Sequence, residues 1–257
     1  MIKISAQRQK DNKQLRTLLG ENRSLGVHQV EYKSYNFEVY DQVFSPRVWQ
    51  GWKYYTGYLS GLDLRGKHFL EIGCGSGITG LYLACNNNLG HLVLTDINPR
   101  AIENARTNAA NLALIDKVDF IESDVFDHIP RDMKFDVVYW NCPWELESSS
   151  YRYCDELEKG LFDAGYESLE KFLQGIDNFL RPNGRTFLGF GNSGSDYHFR
   201  KLCNTHGVHP FELVKSSGFI LYEIKGAGSL FRRVVTTTLP IYRLRSIIRR
   251  KLRSWLR

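Results

Sequence analysis

The sequence predicts a doubly wound α/β fold with a mostly parallel sheet, and three observations carry that expectation. Short apolar runs at 68–72, 91–95, 118–123 and 135–140 alternate with stretches of helical periodicity, the pattern of strands joined by crossover helices. Each later run closes on a polar residue, Asp96, Asp124 or Asn141, and in such sheets ligands gather at the carboxyl ends of the strands. The first run passes directly into Gly73-Cys74-Gly75-Ser76-Gly77 and a helix from Ile78. Alternate glycines permit the positive φ of a tight strand-to-helix reversal and a close approach of a ligand to the backbone.

At 257 residues the chain is long enough to bury a core without staples. It divides into an N-terminal extension (1–65), a ligand-binding and catalytic domain (66–228) and a basic tail (229–257). Within the extension, residues 1–25 are polar with one weak apolar cluster, Leu15, Leu18 and Leu19, and predict a loose or partner-dependent helix. Residues 29–44 alternate through Val30, Tyr32, Tyr35, Phe37, Val39 and Val43 around Lys33-Ser34, which predicts a β-hairpin. Trp49, Trp52, Tyr55, Leu59 and Leu62 recur at helical spacing, so 48–60 is expected to be a helix whose aromatic stripe packs on the sheet or walls a substrate.

After the glycine turn, 91–95 is a buried strand, and Asn98-Pro99 reads as a helix start because asparagine caps and proline suits the first helical position. Ala101, Ile102, Ala105 and Leu112 give that helix its inward face. A later helix presents Leu169, Phe172, Leu173, Ile176 and Leu180 and stops at a turn, Arg181-Pro182-Asn183-Gly184, before a fifth strand at 185–190. A helix at 195–206 and an antiparallel hairpin, 211–214 with 219–224, close the sheet at seven strands.

Gly75 to Gly80 satisfies G-x-G-x-x-G, which leaves a dinucleotide open on that string alone. Glu71-Ile72-Gly73-Cys74-Gly75-Ser76-Gly77, however, has the acid-x-G-x-G-x-G form. With Asp96, Asp124 and Asn141-Cys142-Pro143-Trp144 following in order, the chain resembles the class I S-adenosylmethionine-dependent methyltransferases over residues 29–225. The last tetrapeptide resembles the N-P-P-[YFW] signature of the release-factor glutamine N-methyltransferase and "methyltransferase small" group.

The resemblance implies a Rossmann-like seven-stranded domain and S-adenosyl-L-methionine as cofactor. The donor then lies on Glu71, Gly73, Cys74, Gly75 and Gly77, with Asp96 and Ile97 at the ribose, Asp124 and Val125 at the adenine, and Asn141 beside the methyl group. It implies that the Asn141 side-chain oxygen and the Cys142 carbonyl accept the two N–H bonds of a target nitrogen, that Pro143 fixes the turn and that Trp144 stacks on the target. A sulfonium is already electrophilic, so such a site works chiefly by alignment. Cys142 stands where the signature has its first proline, which puts the turn's rigidity in question. No base identifies Cys142 as a nucleophile.

The expected activity is N-methylation of an amino or amide nitrogen in a small molecule or a protein glutamine. Alternatives are a nucleobase amino methyltransferase, a small-molecule O-methyltransferase and a catalytically silent donor-binding scaffold. The formal charge of +6 is less than the nine basic residues from Arg232 onward, so residues 1–225 carry a net −3 and show no strong nucleic-acid signal. Residues 145–170 hold eight acids against Arg152 and Lys159. As a lid they would favour a neutral or cationic small-molecule or peptide acceptor; the other reading is a solvated helix face. Only about sixty residues precede the glycine turn, too few for the helical recognition domain that the resemblance would place there.

Residues 232–257 form a basic amphipathic pattern suited to docking on the chain itself, to an anionic membrane surface or to an acidic partner. Five cysteines without a C-x-x-C pair, and no apolar run of spanning length, point to the cytosol, with a peripheral membrane position through the tail. Cys203, His206 and His209 have metal-like spacing but lack a fourth ligand, so no metal is expected.

Overall fold

The computed structural model describes residues 6–216 and 218–226. Helix α1 (Ala6–Ser24) leads into a hairpin of β1 (His28–Tyr32) and β2 (Tyr35–Val39), turned at Lys33 with φ 57°. Helix α2 (Gly51–Ser60) starts three residues later than the aromatic periodicity predicts; Trp49 thus lies before the helix, outside its packing face. Then come β3 (His68–Ile72), α3 (Ile78–Asn87), β4 (His91–Asp96), α4 (Pro99–Asn111), β5 (Val118–Glu122) and β6 (Phe135–Asn141). The Asn98 side chain accepts the Arg100 N–H, the capping bond its sequence promises.

Between β6 and the next long helix, the structure holds what the sequence left as loop: β7 (Glu145–Glu147), the short α5 (Glu156–Lys159) and β8 (Phe162–Ala164), with β7 and β8 paired in parallel. These elements are too short to show a period. Helix α6 (Glu167–Gly175), a 3₁₀ turn at Ile176–Phe179, β9 (Leu180–Gly191), α7 (Asp196–Thr205), β10 (Val208–Lys215) and β11 (Phe219–Gly226) complete the order. The predicted turn at 181–184 lies inside β9. Phe135 pairs with Leu180 and Val137 with Arg185, so the extra residues form a bulge with Asn183 at φ 66°.

The main sheet has the order β10-β11-β9-β6-β3-β4-β5. β9, β6, β3, β4 and β5 are parallel, and at one edge β11 joins β9 antiparallel and β10 joins β11 antiparallel, so that β11 alone runs against the rest. The chain winds outward from β3 through β4 to β5, then crosses back to place β6 on the other side of β3, so the topological switch lies between β3 and β6. There the crossovers leave in opposite directions and open a crevice. Side-chain alternation splits the core. Leu70, Ile72, Val138 and Trp140 face a cluster with α6 and α7 residues, whereas Phe69, Val137 and Tyr139 face α2, α3 and α4.

The N-terminal helix has its partner within the chain. Arg16 reaches Glu147 at 2.7 Å and Glu158 at 3.5 Å, donates to the Tyr151 hydroxyl and lies over the Tyr151 and Phe162 rings. Asn12 donates to Glu147 and Arg23 to Asp155. The acids of 145–170 are therefore not simply a solvated face: Glu145, Glu147, Glu158 and Asp163 are buried. No described helix is long and apolar enough to cross a membrane. The amphipathic pattern at 232–257 lies outside the described residues.

Candidate active site at the switch point

A cavity of about 320 Å³ opens at the carboxyl ends of β3, β4, β5 and β6. The glycine turn forms its floor. Gly73, Gly75 and Gly77 adopt φ of 60°, 55° and 77°, the left-handed region that only glycine enters readily. They differ in use. A Cβ on Gly75 would meet only Val43, at 3.9 Å, so its backbone stays open to the cavity. On Gly77 a Cβ would press on Leu81, Ala105 and Leu94 within 3.3 Å; Gly77 does not line the cavity and serves the close seating of α3 on the sheet.

Two acids hold the turn. Glu71, only 4 % exposed, accepts the Gly80 N–H at 2.7 Å. Burial pushes its pKa up to about 8 against that hydrogen bond. Asp96 accepts the Gly75 and Asn98 N–H groups, each at 2.9 Å, and burial lifts it to about 6 despite those bonds. Ile97, at the rim, is exposed. Asp124 pairs with Lys171 at 2.8 Å, and Val125 beside it sits at φ 53°, a strained setting for a β-branched residue of the kind found at ligand sites.

At the end of β6, Asn141, Pro143 and Trp144 line the cavity and Cys142 does not. Cys142 is buried, with its N–H and its thiol both bonded to the Gly189 carbonyl, at 3.2 and 3.3 Å. The N–H that a proline would lack thus anchors the turn to β9, and the missing ring is offset by a tether. Burial raises the thiol well above its ordinary range, which keeps it protonated and inert.

Trp144 is only 2 % exposed. Its Nε1 donates to Ser193, its carbonyl accepts from Tyr166 at 2.6 Å, and its ring lies against Trp49, centroids 4.7 Å apart. The half-buried Trp49 therefore supplies much of the aromatic wall. From above, Tyr153, Glu156, Lys159, Phe162, Asp163 and Glu167 of the 145–170 segment cover the cavity. Burial raises Asp163 to about 7, against N–H donors from Leu169 and Ser168.

Of the residues expected from the sequence, Glu71, Gly73, Cys74, Gly75, Asp96, Ile97, Asp124, Val125, Asn141, Pro143 and Trp144 meet in one cavity. Sequence reasoning missed Ser76, Tyr139 and Glu156. Tyr139 was legible in principle, since it lies two residues before Asn141 on one strand and so shares its face. Gly189 and Gly191 were another signal, because isolated strand glycines mark close approach. A Cβ at Gly189 would lie 2.9 Å from Asn141 Oδ1, and one at Gly191 2.2 Å from Trp144 Nε1. Cys203 is buried in the core and His206 faces Glu170 at 3.3 Å; among the described residues no group of three or more ligating side chains could hold a metal.

The wall is built for a polar ligand. Ser76 Oγ, Tyr139 Oη, Asn141 Oδ1 and Glu156 Oε2 are buried without a hydrogen-bond partner, and all four residues line this cavity. Orphaned buried polar atoms are rare and unfavourable; four around one cavity fit a ligand with an ammonium, a carboxylate, a diol and an adenine.

The comparisons with known proteins agree with that chemistry. A family model described as a methyltransferase domain matches residues 63–205. The ribosomal RNA small subunit methyltransferase C of Actinobacillus succinogenes is 37 % identical over 156 residues, 60 % of this chain and 40 % of that protein. The ribosomal protein uL3 glutamine methyltransferase of Francisella tularensis is 30 % identical over 144 residues, 52 % of this chain and 44 % of that one. The matches thus span less than half the length of these curated relatives. Among solved structures, a T. thermophilus 16S rRNA N2 methyltransferase in complex with AdoMet and guanosine shares the fold with a TM-score of 0.56 at 17 % identity, covering 78 % of this chain and 50 % of that one. Matched by that family model over more than half its length, and carrying the fold and the ligand chemistry of the group, the chain belongs to the class I methyltransferases and uses S-adenosyl-L-methionine as its methyl donor.

Proposed function

We propose that the chain methylates a planar nitrogen, with the amide of a protein glutamine as the first acceptor to test. The observation that carries this reading is Asn141 Oδ1, buried and without a partner at the cavity wall. A neighbouring N–H of the acceptor would satisfy it, and a modest turn of the side chain away from Gly189 presents it. The donor supplies an electrophilic methyl group. Asn141 would accept an N–H of the acceptor so that the nitrogen lone pair faces it, and the Cys142 tether to Gly189 holds the turn that carries Asn141. Glu71, the glycine turn, Asp96 with Ile97, and Asp124 with Val125 would hold the donor. Trp49, backed by Trp144, would form the flat wall against which the acceptor lies.

Glu156, Asp163 and Glu167 on the roof, against Lys159 alone, favour a neutral amide over a polyanion. A nucleobase amino group is the second reading. It has the same two N–H bonds, and the name of the A. succinogenes relative supports it. Extracts incubated with labelled donor and the purified chain, read by mass spectrometry, test both. Asn141→Ala is expected to lose about 100-fold or more in transfer with donor affinity unchanged; full activity in that variant, or a label on oxygen, would sink the reading.

A further inference from the structure

We propose that Trp49, and not Trp144, is the ring that meets the acceptor, and that Ser193 and Glu145 are positioning residues which hold Trp144 beneath it. The inference rests on an acceptor site at Asn141, whichever atom there takes the methyl group. Trp144 has no face to offer. It is 2 % exposed, and its indole N–H donates to Ser193 Oγ at 3.2 Å. Ser193 in turn donates to the carboxylate of Glu145, which is 0 % exposed. With the hydroxyl proton committed to the carboxylate, the Ser193 oxygen is set to accept, so the series of bonds has one polarity and one place for the indole.

The backbone around the ring is held as well. The Trp144 carbonyl accepts from Tyr166 at 2.6 Å, and the Glu145 N–H donates to the Leu161 carbonyl at 3.0 Å. On one side β9 fills the space: a Cβ at Gly191 would lie 2.2 Å from Trp144 Nε1 and 2.3 Å from Cδ1. On the other side stands Trp49, with ring centroids 4.7 Å apart and planes inclined by 36°. A flat group between two rings needs about 7 Å, two contacts of about 3.5 Å each, so no acceptor stacks between them. Trp49 has the opposite setting, half-buried and lining the cavity. Its segment is anchored from behind, since the Ser45 N–H donates to Asn22 of α1 and the Arg47 N–H to Ser45 Oγ. Gly51 leaves room for the indole, because a Cβ there would lie 3.2 Å from Trp49 Nε1. The platform for the acceptor is thus supplied by the N-terminal extension, at a height set by how deep Ser193 and Glu145 hold Trp144.

The full chain, labelled donor and a cell extract diluted in steps give an apparent acceptor KM, which tests the assignment. Trp49→Leu should raise that KM at least about tenfold with S-adenosylhomocysteine affinity within about twofold of wild type. Unchanged or improved transfer, the result expected if uncovering Trp144 supplies a platform, would overturn it. Ser193→Ala should raise the same KM about three- to tenfold with kcat within about twofold; a wild-type KM overturns the positioning role whatever happens to the thermal midpoint. Should Trp49→Leu fail to bind S-adenosylhomocysteine, Trp49→Phe decides: its smaller ring must raise the KM at least about threefold, and a wild-type value refutes the assignment. Failure of the acceptor site reads differently. Full transfer by Asn141→Ala, or a wild type that labels nothing, removes that site and the inference with it, whereas a wild-type KM in Trp49→Leu removes the inference alone.

Discussion

Donor binding should expel a proton, and Glu71 is the group from which it leaves. Burial holds the Glu71 carboxyl at about 8 in the free protein, so about nine-tenths of it is protonated at pH 7. An ammonium in contact with it favours the carboxylate and lowers its pKa by about 1–3 units. At the larger end of that range, binding at pH 7 releases about 0.8–0.9 of a proton. Since the ionised form binds, affinity should rise with pH, by up to about tenfold per unit between pH 6 and 8. Asp96, at about 6, adds to the slope only at the lower end, and above pH 8 the donor's own amine begins to discharge.

Asp163 titrates near 7 in the same cavity, so Glu71→Gln is the control that identifies the group. The assay is titration calorimetry of S-adenosylhomocysteine at pH 7 in buffers of different ionisation enthalpy, repeated with Glu71→Gln. Zero proton release in wild type, or an unchanged pH slope in the variant, would refute the reasoning. The same shift has a sign for stability. A carboxyl raised in the folded state stabilises below its unfolded pKa near 4.5, and that contribution is lost as pH rises through 8. The free protein's thermal midpoint should therefore fall between pH 5 and 8, and less steeply in Glu71→Gln.

Gly191→Ala should damage acceptor use while sparing the donor, because its Cβ would sit 2.2 Å from Trp144 Nε1 and drive the indole toward Trp49. Transfer should fall about tenfold or more at unchanged S-adenosylhomocysteine affinity, and a variant with wild-type turnover would show that Trp144 does not shape the acceptor wall. Arg16→Ala strips the counter-charge from the buried Glu147 and Glu158, but Arg16 is itself 35 % exposed. Solvent screening reduces the loss to about 1–3 kcal/mol, read as a lower thermal midpoint and faster proteolysis within 145–166; unchanged cleavage there would show that α1 does not secure the roof.

The sheet was legible in the sequence because its signals are local and redundant. The parallel strands β4, β5 and β6 are apolar runs that lead into Asp96, Asp124 and Asn141, and Asn98-Pro99 announces its helix by capping chemistry alone. The residues that line the cavity floor were equally legible, since glycines at alternate positions after Glu71 serve few other purposes. What stayed hidden depends on distant packing. Trp144 reads as an exposed platform, but Gly191, forty-seven residues later in the chain, lets it sink beneath Trp49. Residues 145–166 carry no period because β7, α5 and β8 are three or four residues each. Whether their acids form a lid or a solvated face stayed open because the cations that pair with Glu147 and Asp155 lie more than 130 residues away on α1. Tyr139 was passed over as one more strand aromatic; only its partnerless hydroxyl distinguishes it.

The clasp between α1 and the 145–166 segment also orders events in time. Arg16 and Glu147 are separated by 131 residues, so α1 is synthesised well before its charged partner, which follows only once β3 to β6 are complete. Closing so long a loop early is entropically disfavoured, and the helix adds no strand to the sheet. β3 to β6 can therefore be in place before α1 closes over the 145–166 segment. A nascent chain arrested before residue 145 is then expected to leave α1 without its clasp.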